Sequence, residues 1–375
     1  MPQVLKKPVS LTELFYDLVF VYAVSQITEV FEPLRENEVT GTTLLLYIAV
    51  FIGFISSWNI QTVYFNRFGE HNFKDIISMT VLQMPILLFM AQHAHAQSYE
   101  DFQLFGYGLF ALSLVDVAQY VWIAIERRGT DDARESMVFI LMLSGRSISI
   151  LVGAIVGGFN GLAIVAAACV LYLLAPILSR HAMSVPLNGP HLIERLQLLT
   201  IITLGELIVG QAQYFSSPNI FSLISFIVIV NLFMFYIVEF DHMIDENRAD
   251  RQITWMIYYH YLIWFGINLV TVAYDFIDLE HSIMMNAIFT LGLALFYLGV
   301  LVHTRFNKDS HRPSIKEFLP LAIILIVGLS VSCLFLDNYF IHISIVLAVT
   351  FLAQLLFIRF NLSRRQSQPS KIEEE

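Results

Sequence analysis

The stretch from residue 318 to residue 336 reads FLPLAIILIVGLSVSCLFL and contains no charged side chain. Since a helix of about 20 residues crosses the roughly 30 Å hydrocarbon layer of a membrane, this stretch predicts a transmembrane helix. Further apolar runs of similar length lie near residues 11–31, 43–66, 75–95, 103–125, 136–156, 159–178, 191–213, 219–240, 252–275, 283–304 and 339–358. The sequence therefore predicts an all-α integral membrane protein with about twelve transmembrane helices.

The composition of the whole chain agrees with this class. Of its 375 residues, 57% are hydrophobic and 14% are charged, whereas soluble domains carry about 25% charged residues. The net charge of −10 excludes a basic surface for nucleic acid. The two cysteines lie in apolar runs and encode neither a disulfide framework nor a metal cluster. We expect no cofactor and a lipid bilayer as the surrounding partner.

The distribution of basic residues predicts the orientation of the helices. If both termini lie in the cytoplasm, all of the 21 Lys and Arg residues except Arg35 and Arg146 fall in cytoplasmic loops or their flanks. Cytoplasmic loops of membrane proteins are enriched in these residues, and losing or adding one span would scramble the partition. We therefore expect twelve spans, cytoplasmic termini and a multi-pass protein of the cell membrane.

A weak internal similarity divides the spans into two halves. Glu13 lies at the start of the first span as Glu194 does at the start of the seventh, and aromatic residues followed by a polar one end the second and eighth spans. Because six spans separate the copies, the two six-helix repeats would be parallel. The predicted organisation is a first half over 1–182, a second half over 183–360 and a disordered cytoplasmic tail over 361–375.

Three stretches carry a resemblance to a known family. They are residues 13–21 (ELFYDLVFV), 58–68 (WNIQTVYFNRF) and 194–210 (ERLQLLTIITLGELIVG). Together with the run of spans from residue 9 to about 360, they resemble the low temperature requirement protein A (LtrA) family of bacterial membrane proteins. The motif residues of this resemblance are Glu13, Phe15, Asp17, Trp58, Glu194, Gly205 and Glu206. The family name reports a growth phenotype in the cold and implies no reaction.

The first span also resembles, more distantly, the opening helix of the lysosomal and bacterial potassium channels with an Arg-x-x-x-Phe-Ser-Asp signature. Phe15 and Asp17 keep the Phe-x-Asp part, the Arg is missing, and Trp58 lies late in the second span as in those channels. The resemblance implies a pore built from six-helix units. Such a channel would need a second chain, and hence a homodimer, to complete a four-unit pore.

Two ionisable residues fall near the membrane midplane. At a rise of 1.5 Å per residue, Asp116 lies roughly 15 Å from the inner end of the fourth span, and Arg146 lies equally deep in the fifth. An unpaired charge at that depth costs at least about 2.5–3.5 kcal/mol, so we expect a buried Asp116–Arg146 pair. This pair is either a structural clamp between two helices or part of a proton or ion relay through Asp116.

Other polar side chains lie at different depths. Glu13 and Asp17, four residues apart, share one face of the first span. Glu206, past the midplane of the seventh span, either serves proton-coupled transport or cation gating or forms a hydrogen bond within the bundle. His260 in the ninth span is either a helix–helix hydrogen-bonding group or a ligand.

Carboxylates on several spans favour an ion channel or a secondary transporter over an enzyme, with a proton, a potassium ion or a small molecule as substrate. One alternative is an intramembrane enzyme acting on a lipid, which would need His260 and an acid such as Glu206 at one depth. A non-catalytic membrane protein linked to growth at low temperature is the third hypothesis.

Overall fold

The computed structural model describes residues 7–31, 41–94, 99–173, 187–216, 220–246, 253–275 and 282–366. Its helices are α1 (Leu11–Glu29), α2 (Gly41–Phe68), α3 (Phe73–Gln92), α4 (Tyr99–Glu126), α5 (Asp131–Val156), α6 (Gly158–Leu173), α7 (Gly189–Ala212), α8 (Ile220–Met243), α9 (Thr254–Asp275), α10 (Ser282–His303), α11 (Ile315–Ser332) and α12 (Tyr339–Gln366). No strand occurs within these ranges, which confirms the all-α class.

A helix occupies each of the apolar runs found in the sequence, as far as those runs lie in the described residues. Within those residues, nine helices are long and apolar enough to cross a membrane. The other three are α6, which is shorter, and α1 and α7, which carry the charged side chains considered below. The chain is thus a polytopic membrane protein by helix length and composition, and the count of twelve spans stays a prediction.

The chain divides into two compact units. Unit 1 comprises residues 1–202 and 249–251, and unit 2 comprises residues 203–248 and 252–375. The helix α7 contributes its first part to unit 1 and its last part to unit 2. The predicted boundary at 182/183 lies outside the described residues, and the six-plus-six repeat stays a prediction.

Unit 1 is organised around α2, whose most apolar window is 72% buried, against 33% for α3. The first helix of this unit, α1, begins with a capping box: Ser10 N donates to Glu13 Oε2 at 3.0 Å, and Glu13 N donates to Ser10 Oγ at 3.3 Å. The helix α3 contains a π-helical turn at Ser78–Gln83. Such turns are rare and often lie at functional sites.

Unit 2 is organised around α9, which is also 72% buried in its apolar window. The helices α9 and α10 approach closely, since a Cβ on Gly266 would lie 2.6 Å from the carbonyl oxygen of Gly292. Small residues permit such contacts between membrane helices. The helix α8 ends in a second π-helical turn, Val238–Met243.

The last helix extends further than the sequence indicates. The helix α12 continues to Gln366, so residues 361–366 of the predicted disordered tail are helical. Arg364 forms an ion pair with Glu317 of α11, with Nη2 and Oε2 2.7 Å apart, which holds this end of the helix. The remainder of the tail lies outside the described residues.

Candidate functional site

Asp17 lies in a buried ionic cluster in unit 1. Its Oδ1 accepts hydrogen bonds from Trp58 Nε1 at 2.8 Å and from Arg195 Nη2 at 2.9 Å. The Arg195 guanidinium also lies over the Trp58 ring, 5.3 Å from its centroid, and donates to Thr62 Oγ1 at 3.4 Å. All four side chains are buried. Asp17 therefore has a direct positive partner, which comes from α7.

Glu13 extends this ionic cluster by one helical turn. Its Oε1 lies 3.1 Å from His191 Nε2 and 3.4 Å from Arg195 Nη1. His191 Nδ1 is in turn 3.1 Å from Asn66 Nδ2. We define the ionic cluster as Glu13, Asp17, Trp58, Thr62, His191 and Arg195. It contains two carboxylates and one guanidinium, together with a histidine that adds charge only when protonated.

The three stretches that carry the family resemblance meet in this ionic cluster. Glu13 and Asp17 come from the first stretch, Trp58 from the second and Arg195 from the third. They are far apart in sequence, since Asp17 and Arg195 are separated by 178 positions. The fold thus assembles one polar site from them.

A lysine outside the spanning helices lies close to the start of α1. Lys7 Nζ donates to the carbonyl oxygens of Phe65 and Gly69 at 2.5 and 2.6 Å, at the carboxyl end of α2. Burial lowers the pKa of the Lys7 ammonium, and the carboxylates of Glu13 and Asp75 act in the opposite direction. A positive charge at this end of a helix is favourable to the helix dipole.

Asp116 lies in a second polar group of unit 1, formed mainly by amides. Gln83 Nε2 lies 3.0 Å from Gln61 Oε1, 3.3 Å from Asp116 Oδ1 and 3.3 Å from Gln119 Oε1. All four side chains are buried. We define them as the amide cluster. It joins α2, α4 and the π-helical turn of α3.

Arg146 forms a third polar group, and its partners differ from those expected. Its Nη1 donates to Ser113 Oγ at 2.5 Å, and its Nη2 donates to Ser56 Oγ at 2.9 Å and Ser57 Oγ at 3.5 Å. The guanidinium also lies over the Tyr172 ring at 5.4 Å. The serine hydroxyls of α2 and α4 take its hydrogen bonds.

The expectation of a direct Asp116–Arg146 pair is therefore wrong. Counting residues gives the depth of a side chain in the membrane but not the direction in which it points around its helix. Asp116 instead accepts from Gln83, and Arg146 affects it only as a nearby charge.

The helix α2 connects all three groups. Ser56 and Ser57 serve Arg146, Gln61 belongs to the amide cluster, and Trp58 and Thr62 belong to the ionic cluster. Residues 56–62 are all buried. Unit 1 thus holds a set of ionisable side chains distributed around one helix.

In unit 2, His260 lies in a neutral polar cluster. His260 Nδ1 is 2.8 Å from the Met256 carbonyl oxygen, and Nε2 is 3.3 Å from Tyr236 Oη. Its ring packs edge-on against His303, with centroids 4.4 Å apart. Both histidines are buried. His260 therefore serves hydrogen bonds within the bundle.

Unit 2 also buries a carboxyl group that sequence reasoning missed. Glu239 lies in the π-helical turn of α8, and its Oε2 accepts from Asn307 Nδ2 at 3.4 Å. No ion pair reaches Glu239 within the residues that the structure describes. The available signal was a Glu in an otherwise apolar run.

The remaining motif residues are not members of the clusters defined above. Phe15 is exposed on α1, on the face that would meet lipid. Glu194 and Glu206 are half-buried on α7, and the space around Gly205 is open where a Cβ would point. Sequence reasoning also missed His191 and the three glutamines of the amide cluster, although amides inside apolar runs are a recognisable signal.

Comparison with known proteins agrees with the resemblance seen in the sequence. Residues 8–354 match the family model of the bacterial low temperature requirement A protein (LtrA). A comparison with curated proteins finds no match. Since the family match covers nearly the whole chain and the three resembling stretches converge in one buried cluster, the chain belongs to the LtrA family.

Proposed function

We propose that the chain is an ion-transport protein, a channel or a secondary transporter, whose path uses the buried carboxylates of unit 1. The observation that carries this proposal is the set of charges around α2. Asp17 and Asp116 are almost fully buried in a helical bundle that is otherwise mostly apolar. Ionisable groups inside a membrane are costly, and they commonly mark ion pathways and proton relays.

The proposal includes an arrangement in the membrane. The distribution of Lys and Arg fits twelve spans with both termini in the cytoplasm and the protein in the cell membrane. The spans would form two parallel six-helix repeats. A channel of this kind would work as a homodimer, in line with the distant likeness to potassium channels, whereas a transporter could act as a single chain. The substrate would be a proton, a potassium ion or a small molecule.

An enzyme acting on a lipid is less well supported. It would need His260 beside an acid and open to the bilayer. The ring nitrogens of His260 instead face Met256 and Tyr236, and the side chain is buried. A non-catalytic role linked to low-temperature growth would give the buried charges of unit 1 a structural role only.

The test is ion flux into liposomes that contain the purified full-length chain in verified orientation. Proton and potassium uptake would be followed under imposed gradients for the unmodified protein and for Asp17→Asn, Asp116→Asn and Glu206→Gln. We expect flux in the unmodified protein and its loss in Asp116→Asn, because that change removes the charge of the amide cluster.

The control is Glu317→Gln, which removes a half-buried carboxylate from the first turn of α11 in unit 2 and should leave flux unchanged. Absence of proton and potassium flux in the unmodified protein would contradict the cation-transport proposal. Flux that survives both Asp17→Asn and Asp116→Asn would place the path elsewhere.

A further inference from the structure

In unit 2, the segment between α10 and α11 packs against the end of α8. We call residues 304–314 the α10–α11 linker. Its Asn307 forms an isolated antiparallel bridge with Ile244, the residue after α8. Lys308 N donates to the Met243 carbonyl oxygen at 2.9 Å. The linker backbone is therefore held next to the π-helical turn that ends α8.

The side chain of Asn307 extends from this bridge to the carboxyl group of Glu239. Asn307 Nδ2 lies 3.4 Å from Glu239 Oε2 and 3.3 Å from the His311 carbonyl oxygen. A flipped amide would place its oxygen against that carbonyl oxygen, and neither atom carries a hydrogen. The His311 carbonyl therefore fixes which end of the amide donates. Glu239 and Asn307 are both almost fully buried, and we call them the acid–amide pair.

Two oxygen atoms of the acid–amide pair lack a hydrogen-bond partner within the described residues. They are Glu239 Oε1 and Asn307 Oδ1, and both are buried. An ionised Glu239 would thus hold a buried negative charge against one long hydrogen bond from a neutral amide. Burial of an isolated carboxylate is so costly that such a group is commonly neutralised instead.

The surrounding charges do not neutralise Glu239 through an ion pair in the part of the chain that the structure describes. The histidines and charged side chains on the elements packed against it are Asp241 and His242 of α8, Asp245 and Glu246 after it, His260 of α9, His303 of α10, Arg305, Lys308, Asp309, His311 and Arg312 of the linker, and Arg359 and Arg364 of α12. The lysine and two of these arginines have other partners. Lys308 Nζ donates to the His242 carbonyl oxygen at 3.3 Å, Arg364 pairs with Glu317, and Arg312 pairs with Asp309.

A single proton accounts for both unpartnered oxygens. A protonated carboxyl group has one O–H donor and keeps acceptor capacity, and an amide likewise offers a donor and an acceptor. Since Glu239 Oε2 accepts from Asn307 Nδ2, the proton belongs on Oε1. Its O–H then donates to Asn307 Oδ1, and the acid and the amide pair reciprocally through two hydrogen bonds.

We infer that Glu239 and Asn307 form a proton-binding site whose proton holds the α10–α11 linker against α8. When the pH rises, the proton passes to water, and a carboxylate oxygen then faces the Asn307 amide oxygen without a hydrogen between them. The linker is thereby released from α8. In the proposed orientation the linker lies in the cytoplasm, so the site responds to cytoplasmic pH. The inference concerns unit 2 and does not depend on the proposed ion path in unit 1.

Infrared spectroscopy detects this proton directly, because the C=O stretch of a protonated carboxyl group is separate from the carboxylate and amide bands. The purified full-length chain is compared with Glu239→Gln at neutral pH. The difference spectrum should contain one band of a hydrogen-bonded carboxylic acid, which shifts in heavy water. In Asn307→Ala this band should move to higher frequency, since the carboxyl group loses its hydrogen bonds to the amide.

Hydrogen exchange followed by mass spectrometry tests the release of the linker. Exchange of the amides over 304–314 is measured at neutral and alkaline pH and corrected for the intrinsic pH dependence. In the unmodified chain these amides should exchange about 10-fold faster at alkaline pH, because a buried hydrogen bond that holds them is lost. Glu239→Gln should keep them protected at both pH values, since glutamine retains a donor and an acceptor and has no proton to lose.

The matched control is Asp309→Asn, which removes an exposed carboxylate from the same linker. It should keep the pH dependence of the unmodified chain. If Glu239→Gln does not fold, the band shift in Asn307→Ala carries the spectroscopic test.

Three results would overturn the inference. The first is a spectrum without a carboxylic acid band that depends on Glu239 or shifts with Asn307. The second is linker exchange in the unmodified chain that is equally slow at both pH values after correction. The third is faster alkaline exchange that persists in Glu239→Gln, which would assign the pH dependence to another group.

Discussion

Unit 1 buries five carboxylates and two guanidinium groups, whereas the polar groups described in the core of unit 2 are two histidines, a tyrosine and one carboxyl, Glu239, which has no ion pair among the described residues. The carboxylates of unit 1 are Glu13, Asp17, Asp75, Asp116 and Glu135, and several of them form ion pairs. Each unit is centred on a helix that is 72% buried in its apolar window. The central helices of the two units are therefore equally buried, but the polar side chains packed around them differ. The difference indicates that the charges of unit 1 are not required to build a helical unit of this kind.

The free-energy cost of burying charges makes this difference between the two units informative. Burying an ion pair is seldom more stabilising than burying well-packed apolar groups of the same volume. Neutral hydrogen bonds such as that between His260 and Tyr236 are cheaper to bury. Buried ion pairs in one unit, and a buried carboxyl without an ion pair among the described residues of the other, are therefore the pattern expected if unit 1 handles ions and unit 2 supports the structure.

The largest expected effect comes from a substitution that breaks the ionic cluster. Arg195→Met leaves Glu13 and Asp17 buried without their guanidinium partner, so the free energy of unfolding should fall by about 3–5 kcal/mol. The loss is measured by thermal melting of the purified protein in detergent. Adding Asp17→Asn should restore part of it. A single variant that melts like the unmodified chain would show that the cluster carries no structural charge.

A smaller effect is expected from the matching change in unit 2. Glu239→Gln retains an oxygen acceptor for Asn307 and breaks no ion pair. We expect a change of about 1 kcal/mol or less in the free energy of unfolding, in the same melting assay. A loss as large as that of Arg195→Met would mean that unit 2 also depends on a buried charge, and the comparison between the units would fail.

The sequence predicts the helices well because an apolar run long enough to cross a membrane can form few stable structures other than a helix. It also indicates that Asp17, Asp116 and Arg146 are buried. It does not predict their partners: Arg195 reaches Asp17 from 178 positions away, and Arg146 bonds to serines on α2 and α4. These contacts depend on which faces of the helices meet, and the spacing of residues along the chain does not determine that.

The π-helical turn of α3 amounts to one residue inserted into a regular helix. An inserted residue rotates everything after it by about 100° about the helix axis. The segment before the turn can thus keep Lys74 beside Glu126 of α4, while Gln83, at the end of the turn, contacts Gln61 of α2. The same device recurs in α8, where Glu239 lies. The insertion or deletion of one residue, which a single codon can bring about, is therefore enough to decide whether a polar side chain faces lipid or the interior of the protein.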